Sequence, residues 1–517
     1  MSESLGMACL RGLARGALRV ALVDAGMGGR EIKAGLLLGA GLALAQRIRR
    51  EESGPRVGVV LPPGAGGTIA NLACVLAGKT PVNLNFTSGR AASDSAARQA
   101  GLRMVITAKG MEEKLGENFP EAGRRVDLAK LLREEKPWAV LWSALAFVLP
   151  VWAVARLAKV AREGGEGEAG LLFTSGSTGE PKGVVLTHEN ILVNLRQIEG
   201  VLGDLKLESV LGCLPLFHSF GFTVTLWWPL TGGPKVVTYP SPLEVQALGE
   251  VISNYRIDLL VTTPTFLRSL MRKGGREKLG RLKMVVTGAE KLPRALREEF
   301  AQRIGIPVHE GYGMTEGSPV IAVNRPGAER AGTVGRLVQG LEVRTVEEET
   351  GKELAKGEAG ILEFRGPNIF RGYLGRPDLT EKVLRGGWYH SADFGRMDQD
   401  GFLTIEGRRA RFSKIGGEMV PHGVVEEKLS EWGQQAGKTR EGRCEFMVTA
   451  VADEKKGEAL VVLHSCEINE AEVERALREG GLPALWIPKK FIQVEAIPIM
   501  ASGKLDLAAG RKLAHSE

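Results

Sequence analysis

The segment LLFTSGSTGEPKG, which spans Leu171–Gly183, concentrates groups that can bind phosphate. An apolar run leads directly into hydroxyl and glycine residues, whose hydroxyl and backbone N–H groups can donate hydrogen bonds to phosphate oxygens. Lys182 adds a positive charge for the same oxygens. The segment is not a Walker A loop, because no Gly-Lys-Ser/Thr sequence closes it at the required spacing. The pattern predicts a phosphate-binding loop whose candidate ligands are Thr174, Ser175, Gly176, Ser177, Thr178, Gly179 and Lys182.

Four further strings later in the chain place a charged residue among glycine, hydroxyl or aromatic residues. Glu316 stands in GYGMTEGS, Asp393 and Arg408 stand in YHSAD and EGR, and Lys504 stands in ASGKLD. Each residue alone would be an ordinary solvated charge. The functional interpretation therefore depends on the strings occurring together.

Alternating strand and helix patterns dominate the first four hundred residues and must position these groups. RVGVVLPP (Arg56–Pro63) is typical of a buried strand, Gly67–Lys79 of a helix, and the following TPVNLN of the next strand. The pattern recurs in RMVITAKG, PKVVTYP, DLLVTTPT and RLKMVVTGAE. Strand–helix alternation predicts α/β layers built on parallel sheets. From about Gly335 short strands with glycine turns replace the helices, and a smaller α+β part follows Arg408.

We therefore predict an α/β fold in two domains. Residues 1–407 form a large N-terminal domain, with parallel-sheet α/β subdomains to about residue 330 and a β-rich subdomain over about 331–407. Residues 408–517 form a small, mobile C-terminal α+β lid. The length of 517 residues suits two to four structural units.

The composition excludes several classes of protein. Hydrophobic residues make up 44% and charged residues 25%, which is ordinary for a globular protein and unlike a disordered chain. Lys and Arg total 68 against 61 Asp and Glu, so the net charge of +7 permits anionic partners without requiring nucleic acid. The five cysteines are dispersed and include no CxxC, which predicts reduced thiols in the cytoplasm rather than a disulfide framework or a zinc site.

An uncharged apolar stretch, Trp138–Ala155 (WAVLWSALAFVLPVWAVA), is followed closely by Arg156 and Lys159. An unbroken helix of 18 residues would reach about 27 Å, just short of a bilayer core, and Pro150 would interrupt it. Tryptophan, which occurs three times here, favours the membrane–water interface. The stretch could be a membrane-docking arm, a buried core helix or hairpin, or a true span, and we favour the docking arm.

Six motifs, taken in order, resemble the adenylate-forming superfamily of acyl-CoA synthetases, luciferase-like enzymes and peptide-synthetase adenylation domains. They are the phosphate loop, PLFHSFGF (Pro215–Phe222), GYGMTEGS (Gly311–Ser318), GTVGR (Gly332–Arg336), WYHSADFGRMDQDGFLTIEGR (Trp388–Arg408) and IPIMASGKLD (Ile497–Asp506). The chain most resembles the acyl-acyl carrier protein synthetase/2-acylglycerophosphoethanolamine acyltransferase group, through text such as LPLFHSFGFTVTLWWPL and GLPALWIPKKF, and it is also similar to long-chain acyl-CoA synthetases.

The resemblance implies catalytic roles for four residues. Glu316 would be the Mg²⁺ ligand, and Thr315 would contact the α-phosphate. His218, in PLFHSFGF, would form a gate beside the channel for the carboxylate and the pantetheine arm, although a histidine among phenylalanines can equally be a core residue. Lys504 would bridge the substrate carboxylate and the α-phosphate, where a compact ammonium suits developing negative charge.

The resemblance also implies a set of nucleotide-binding residues. Tyr312 would lie against adenine, and Asp393 and Arg408 would anchor the ribose or phosphate. Ser391 and Ala392 depart from the Thr-Gly that usually precedes this aspartate, which puts the neighbouring backbone contacts in doubt. Further nucleotide-binding or thiol-channel candidates are Gly288, Ala289, Glu290, Gly313, Lys414, Gly416 and Gly417.

The activity that the resemblance implies is ligation, with ATP and Mg²⁺ as cofactors. A long-chain fatty acid is activated as an acyl-adenylate with release of pyrophosphate, and the acyl group then passes to the phosphopantetheine thiol of acyl carrier protein with release of AMP. Coenzyme A as acceptor, or an inactive membrane-bound nucleotide-binding relative, stay as alternatives. We expect a cytoplasmic protein, peripheral at the inner face of the cell membrane through Trp138–Ala155, with no nucleic acid partner.

Overall fold

The chain divides into two compact units. The structure is a computed structural model that describes residues 3–174, 180–203, 205–408, 411–415, 418–437, 445–453, 457–499 and 505–515, without the side chains at 414 and 419. Unit 1 comprises Met1–Glu342 and Phe364–Tyr389, and unit 2 comprises Val343–Glu363 and His390–Glu517. The predicted α/β class, with a large part built on parallel sheets and a smaller part, is confirmed. The predicted domain boundary after residue 407 stays a prediction.

The described residues form the following elements. The strands are β1 (Val20–Asp24), β2 (Arg30–Lys33), β3 (Arg56–Val59), β4 (Thr80–Asn83), β5 (Met104–Thr107), β6 (Arg124–Asp127), β7 (Glu168–Thr174), β8 (Lys182–Thr187), β9 (Ser209–Gly212), β10 (Lys235–Thr238), β11 (Leu259–Thr262), β12 (Met284–Thr287), β13 (Val308–Gly313), β14 (Val320–Val323), β15 (Arg336–Leu337), β16 (Glu342–Val346), β17 (Gly360–Arg365), β18 (Gly372–Tyr373), β19 (Leu384–Arg385), β20 (Trp388–Met397), β21 (Leu403–Arg408), β22 (Phe412–Ile415), β23 (Glu418–Pro421), β24 (Phe446–Asp453), β25 (Gly457–His464) and β26 (Lys490–Gln493). The α-helices are α1 (Leu5–Ala14), α2 (Ala34–Glu51), α3 (Ala65–Leu76), α4 (Arg90–Gln99), α5 (Lys109–Leu115), α6 (Leu128–Glu134), α7 (Lys136–Val148), α8 (Val151–Leu157), α9 (His188–Leu202), α10 (Trp228–Thr231), α11 (Val245–Asn254), α12 (Pro264–Leu279), α13 (Arg294–Ile304), α14 (Pro377–Val383), α15 (His422–Gln435), α16 (Glu470–Glu479) and α17 (Leu507–His515).

The largest sheet of unit 1 has the order β15-β14-β13-β12-β11-β9-β10-β1-β2. Its six central strands, β13 to β1 in that order, are parallel, and antiparallel strands extend both edges. Strands β9 and β11 are buried throughout, as the uninterrupted apolar runs predict for a parallel sheet covered on both faces. Carboxyl ends of parallel strands share one edge, so the loops after β9, β11, β12 and β13 are brought together.

Helices α11, α12 and α13 pack on this sheet through one hydrophobic core. Buried residues of the helices, such as Leu248, Leu267 and Phe300, meet Val237 and Leu260 of the strands. A helix that buries one apolar stripe against a sheet is the usual way for an α/β layer to exclude water. This core fixes the strand ends from which the functional loops depart.

Two further sheets lie in unit 1, and most residues of a third lie in unit 2. A parallel sheet has the order β4-β3-β5-β6, and an antiparallel one has the order β18-β8-β7. Another sheet has the order β16-β17-β20-β19, with β21 beside β20. The second of these sheets carries the predicted phosphate-binding segment at the connection from β7 to β8.

Unit 2 contains a sheet of order β23-β22-β25-β24, with β26 beside β25. Alternate residues of β24 and β25 enter two different cores, as the two-residue repeat of a strand requires. Val448 and Val462 pack with Leu429 of α15 and Leu477 of α16, whereas Met447, Val461 and Leu463 pack with Ala514 of α17. Helices therefore cover both faces of this sheet.

One of the alternatives for the apolar stretch is ruled out, and one expectation about the cysteines is wrong. The apolar stretch Trp138–Ala155 is not a buried core element, because α7 and α8 leave several of its large side chains more than half exposed. Among the described residues, no helix is both long enough and apolar enough to cross a membrane.

Cys9, Cys74 and Cys213 are buried free thiols, but Cys466 is disulfide-bonded, so the expectation of reduced thiols is wrong for that residue.

Candidate active site

The predicted phosphate-binding segment connects two antiparallel strands. Strand β7 ends at Thr174, which pairs with Lys182 at the start of β8, so these two residues flank the connection. Helix α4 holds the residues after it, because Gln99 Nε2 donates to the carbonyl of Pro181 at 3.0 Å. The predicted ligands Ser175, Gly176, Ser177, Thr178 and Gly179 lie outside the described residues.

Lys182, Glu316 and Tyr373 come together from three distant parts of the chain. Tyr373 lies on β18, where it pairs with Val184 of β8 and so stands beside the phosphate-binding segment. Its hydroxyl donates to Glu316 Oε1 at 2.8 Å, and Lys182 Nζ lies 5.7 Å from the centre of its ring. The backbone N–H of Phe370 also donates to the carbonyl of Glu316 at 2.8 Å. Tyr373 therefore contacts both Glu316, the candidate metal ligand, and Lys182, the candidate cationic side chain for phosphate binding.

The electrostatics of Tyr373 make it a hydrogen-bond donor at neutral pH. Burial, and then the neighbouring carboxylate of Glu316, raise the pKa of the Tyr373 phenol well above its usual value. The proton therefore stays on the phenol and points to the carboxylate. The sequence does not single out this residue, because Tyr373 is itself uncharged and β18 is only two residues long.

The position of Glu316 fits a magnesium ion that is shared with nucleotide phosphates. Its side chain is half-buried, and one carboxylate oxygen is fixed by Tyr373. Over the part of the chain that the structure describes, no three His, Cys, Asp or Glu side chains gather in a way that could hold a metal ion. A cation here would take one protein carboxylate and complete its shell with phosphate oxygens and water, which is the usual arrangement for Mg²⁺.

The motif PLFHSFGF packs against the residues that precede Glu316. The hydroxyl of Thr315 donates to Ser219 Oγ at 3.3 Å. Within the motif, Gly221 lies directly against the backbone of Pro215, because a Cβ at this position would lie 2.5 Å from the Pro215 carbonyl oxygen. Gly221–Trp227 then forms a helix with i→i+5 hydrogen bonds, a rare geometry that is frequent at functional sites.

His218 lies in an aromatic cluster at the start of this helix. Its ring centre is 4.7 Å from that of Phe217, which in turn meets Phe86 edge to face at 5.2 Å. The role of His218 as a gate stays a prediction.

The loop after β12 contains the candidates Gly288, Ala289 and Glu290. The N–H of Gly288 donates to the carbonyl of Thr262 at 3.1 Å, and Thr265 Oγ1 donates to Glu290 Oε2 at 2.7 Å. Ala289 has φ +70°, a left-handed conformation that costs a non-glycine residue free energy. Strained backbone of this kind concentrates at ligand-binding loops, which agrees with the predicted use of this segment.

Strand β13 carries Tyr312 and Gly313 to the same edge of the sheet. The Tyr312 ring lies tilted against Phe364, with the ring centres 6.0 Å apart. Gly313 has no room for a side chain, because a Cβ would lie 2.3 Å from the carbonyl oxygen of Pro319. Gly288 lies close by, since a Cβ there would lie 3.4 Å from the carbonyl oxygen of Gly311. The loop after β12 therefore lies against the C-terminal part of β13.

In unit 2, Asp393 and Arg408 are cross-strand neighbours on β20 and β21. Arg408 Nε donates to Asp393 Oδ1 at 3.0 Å, and the carboxylate is buried whereas the guanidinium is 59% exposed. Ser391, which departs from the family pattern, accepts the Asp393 N–H at 3.2 Å and donates to Leu362 at 2.7 Å. The substituted residue thus supports the aspartate locally.

The remaining candidates cannot be placed. Lys504, Gly416 and Gly417 lie outside the described residues. The backbone of Lys414 pairs with Met419 in the β22–β23 hairpin, but its side chain is not described.

Comparison with known proteins gives a family and named relatives. Residues 19–374, more than half of the chain, match the family described as AMP-binding enzyme. A long-chain-fatty-acid–CoA ligase of Bacillus subtilis (strain 168) is 32% identical over 345 residues, which is 65% of this chain and 60% of that protein. The ligase of the same name from Salmonella typhimurium is 30% identical over 267 residues, 50% of this chain and 47% of that protein. The matches thus span about half to three fifths of these relatives.

Solved structures share the fold over nearly the whole chain. ATP-bound MatB from Rhodopseudomonas palustris superposes with a TM-score of 0.80 at 23% identity and covers 99% of both chains. O-succinylbenzoate coenzyme A synthetase (MenE) from Bacillus subtilis, in complex with ATP and magnesium ion, has a TM-score of 0.79 at 24% identity and covers 96% of this chain and 98% of that one. At such identities the similarity establishes the fold.

Proposed function

This chain belongs to the AMP-binding enzyme family, and from that premise we propose that it is an ATP-dependent fatty acid ligase. A carboxylate oxygen of the fatty acid attacks the α-phosphorus of ATP, the bond to the β-phosphate oxygen breaks, and pyrophosphate leaves. A pantetheine thiol then attacks the acyl carbon, AMP leaves, and the thiol proton passes to solvent. The products are a thioester, AMP and pyrophosphate.

The observation that carries the proposal is the contact of Tyr373 with both Glu316 and Lys182. These side chains adjoin the connection from Thr174 to Lys182, which is rich in hydroxyl and glycine residues. Phosphoryl chemistry needs positive charge and fixed donors around the phosphate oxygens more than it needs a covalent catalyst. Lys182 supplies charge, Glu316 would hold Mg²⁺, and Tyr373 keeps the Glu316 carboxylate in one orientation.

The other candidates take the roles that the family resemblance implies. Thr315 contacts the α-phosphate, Asp393 and Arg408 anchor the ribose or phosphate, and Lys504 bridges the two reacting groups. Bound Mg²⁺ would neutralise phosphate charge. The presence of all these charged side chains argues against an inactive nucleotide-binding relative.

We propose a long-chain fatty acid as the substrate and acyl carrier protein as the acceptor. The choice of substrate rests on the Bacillus and Salmonella relatives, which are named long-chain-fatty-acid–CoA ligases. The acceptor rests on the resemblance to acyl carrier protein synthetases, and a net charge of +7 would favour an acidic carrier. Coenzyme A is the second candidate acceptor, since both relatives are named for it.

The proposed location is the cytoplasm, with peripheral contact at the inner face of the cell membrane. A long-chain fatty acid partitions into lipid, so an enzyme at the bilayer surface would meet its substrate there. The surface that would make this contact is argued separately below.

The proposal is tested by incubating the full chain with palmitate, ATP and Mg²⁺, in parallel with acyl carrier protein and with coenzyme A. We expect a palmitoyl thioester and AMP, with higher kcat/KM for the carrier protein. Greater efficiency with coenzyme A would select the second candidate. A chain that binds ATP but forms no thioester with either acceptor would contradict the proposal.

A further inference from the structure

Helices α7 and α8 present an apolar face to the outside of unit 1. On α7 the outward residues include Val140, Phe147 and Val148, of which Phe147 is 62% and Val148 is 76% exposed. No charged residue occurs after Lys136 until Arg156. A surface helix normally turns polar residues outward, and a helix that is apolar all round is normally buried. This face is therefore exposed to solvent, although its composition is that of a buried surface.

The outward face is fixed, because α7 is held tightly on α2 from behind. A Cβ at Gly39 of α2 would lie 2.1 Å from Ser143 Oγ and 2.3 Å from the carbonyl oxygen of Ala139, so the two helices touch through small residues. Trp142 and Ala146 of α7 are buried. Val140, Phe147 and Val148 occupy the other side of the same helix and cannot turn inward without breaking this contact.

The apolar surface continues onto neighbouring elements. Arg47, near the end of α2, pairs with Glu135 at the start of α7, so the two helices are antiparallel and the start of α2 lies towards the end of α7. Leu36, at that start, is 53% exposed. Leu18 is also exposed and lies next to it in the fold, because the Gly35 N–H donates to the carbonyl of Ala17 at 2.9 Å. Apolar patches of this extent mark interaction sites.

We propose that this face docks on an anionic lipid bilayer. We call it the α7–α8 surface and define it by Trp138, Val140, Leu141, Phe147, Val148 and Trp152, all of which are exposed. Tryptophan side chains combine an apolar body with a polar N–H and are enriched at membrane interfaces. Helix α7, with 13 residues, is about 20 Å long and lies in the interface.

Charge complementarity selects lipid over a second copy of the chain. Lys136 stands at one end of the uncharged stretch and Arg156 and Lys159 at the other, and all three are exposed. Anionic headgroups would neutralise these cations. A symmetric dimer built on the same face would instead add a second set of the same cations to the rim, which is unfavourable.

The test compares two matched double variants of the full chain by co-sedimentation with vesicles of phosphatidylcholine and phosphatidylglycerol. Phe147→Gln with Val148→Gln removes apolar area from the surface, and Met27→Gln with Leu243→Gln removes residues of similar exposure elsewhere. We expect the first pair to weaken vesicle binding about tenfold or more and the second to leave it unchanged. Equal effects of the two pairs would overturn the proposal.

A second comparison tests the charged rim on the same vesicles. Lys136→Gln, Arg156→Gln and Lys159→Gln should each weaken binding roughly fivefold, and added salt should weaken it further. Lys273→Gln, at an exposed lysine away from this surface, is the control. Failure of the wild-type protein to co-sediment with the anionic vesicles would overturn the proposal. The proposal would also be overturned if the wild type formed a dimer, the Phe147→Gln, Val148→Gln variant were monomeric, and both bound vesicles equally.

This inference does not depend on the proposed ligase activity. Palmitate-dependent exchange of pyrophosphate into ATP, measured in lipid-free buffer, should be unchanged in all of these variants. Failure of vesicle binding with intact exchange would refute only the membrane contact, whereas absence of exchange with normal vesicle binding would refute only the ligase.

Discussion

At the scale of single residues, Tyr373 is the contact that organises the candidate site. Its hydroxyl donates to Glu316 Oε1 at 2.8 Å, and its ring lies within cation–π distance of Lys182. A hydrogen bond to a charged group contributes about 1.5–3 kcal/mol when its partner would otherwise be left unsatisfied. Tyr373 thus acts as a positioning residue for Glu316.

The Tyr373→Phe substitution removes this hydrogen bond and keeps the ring. We expect the rate of adenylate formation to fall about tenfold, and the Mg²⁺ concentration for half-maximal rate to rise. Tyr239→Phe is the control, because Tyr239 makes a phenol–carboxylate hydrogen bond of 2.6 Å to Glu244 at an exposed position. A Mg²⁺ dependence that is identical in the two variants would show that Tyr373 has only a structural role.

Residue types and strings in the sequence identified Lys182 and Glu316 as candidates, but they could not identify Tyr373. The first two carry charge inside recognisable strings, whereas Tyr373 becomes relevant only through the pairing of β18 with β8. That pairing joins residues far apart in the chain and leaves no local pattern. The role of Ser391 in holding the Asp393 N–H was likewise hidden, because it depends on a hydrogen bond to Leu362.

At the scale of elements, the start of α1 and the start of α9 are joined by a half-buried histidine. His188 Nδ1 accepts the Leu5 N–H at 3.0 Å, which requires the neutral ring. Burial lowers the pKa of His188 to about 4 from its usual 6.5. The unfolded chain therefore binds a proton at a higher pH than the folded chain. Stability from this group is complete above pH 6.5 and is lost as the pH falls towards 4.

The corresponding variant is His188→Asn, which keeps a hydrogen-bond acceptor and removes the titration. Between pH 7 and pH 5 the wild type should lose about 2 kcal/mol more stability than the variant. Thermal unfolding followed by calorimetry at both pH values measures this difference. The buried His422 of unit 2 also has a lowered pKa, of about 3, but it contributes equally to both proteins. Parallel pH dependence of wild type and variant would contradict the assignment.

Elements differed in how well the sequence predicted them. Strands such as β3, β11 and β12 were predicted because a parallel strand buried on both faces is an uninterrupted apolar run. The segment Gly221–Trp227 could not be predicted as an i→i+5 helix, because its backbone depends on tertiary packing. Pro150 correctly indicated the break that separates α7 from α8, but only the contact with α2 shows which side faces outward.

At the scale of the whole molecule, the order of motifs indicated the family and the strand–helix alternation indicated the fold class. The chain passes between the two compact units at 342/343, 363/364 and 389/390, and these crossings could not be found from composition along the sequence. The central claim is that the chain uses ATP to activate a carboxylic acid. It rests on Glu316 and its neighbours.

The most direct measurement is palmitate-dependent exchange of labelled pyrophosphate into ATP by the full chain. We expect exchange that requires both palmitate and Mg²⁺, and that falls about a hundredfold in Glu316→Gln, because this variant keeps an acceptor for Tyr373 but loses the carboxylate charge. Glu298→Gln, at an exposed carboxylate on α13, should exchange normally. Exchange that is absent, that does not require palmitate, or that is equal in wild type and Glu316→Gln would contradict the claim.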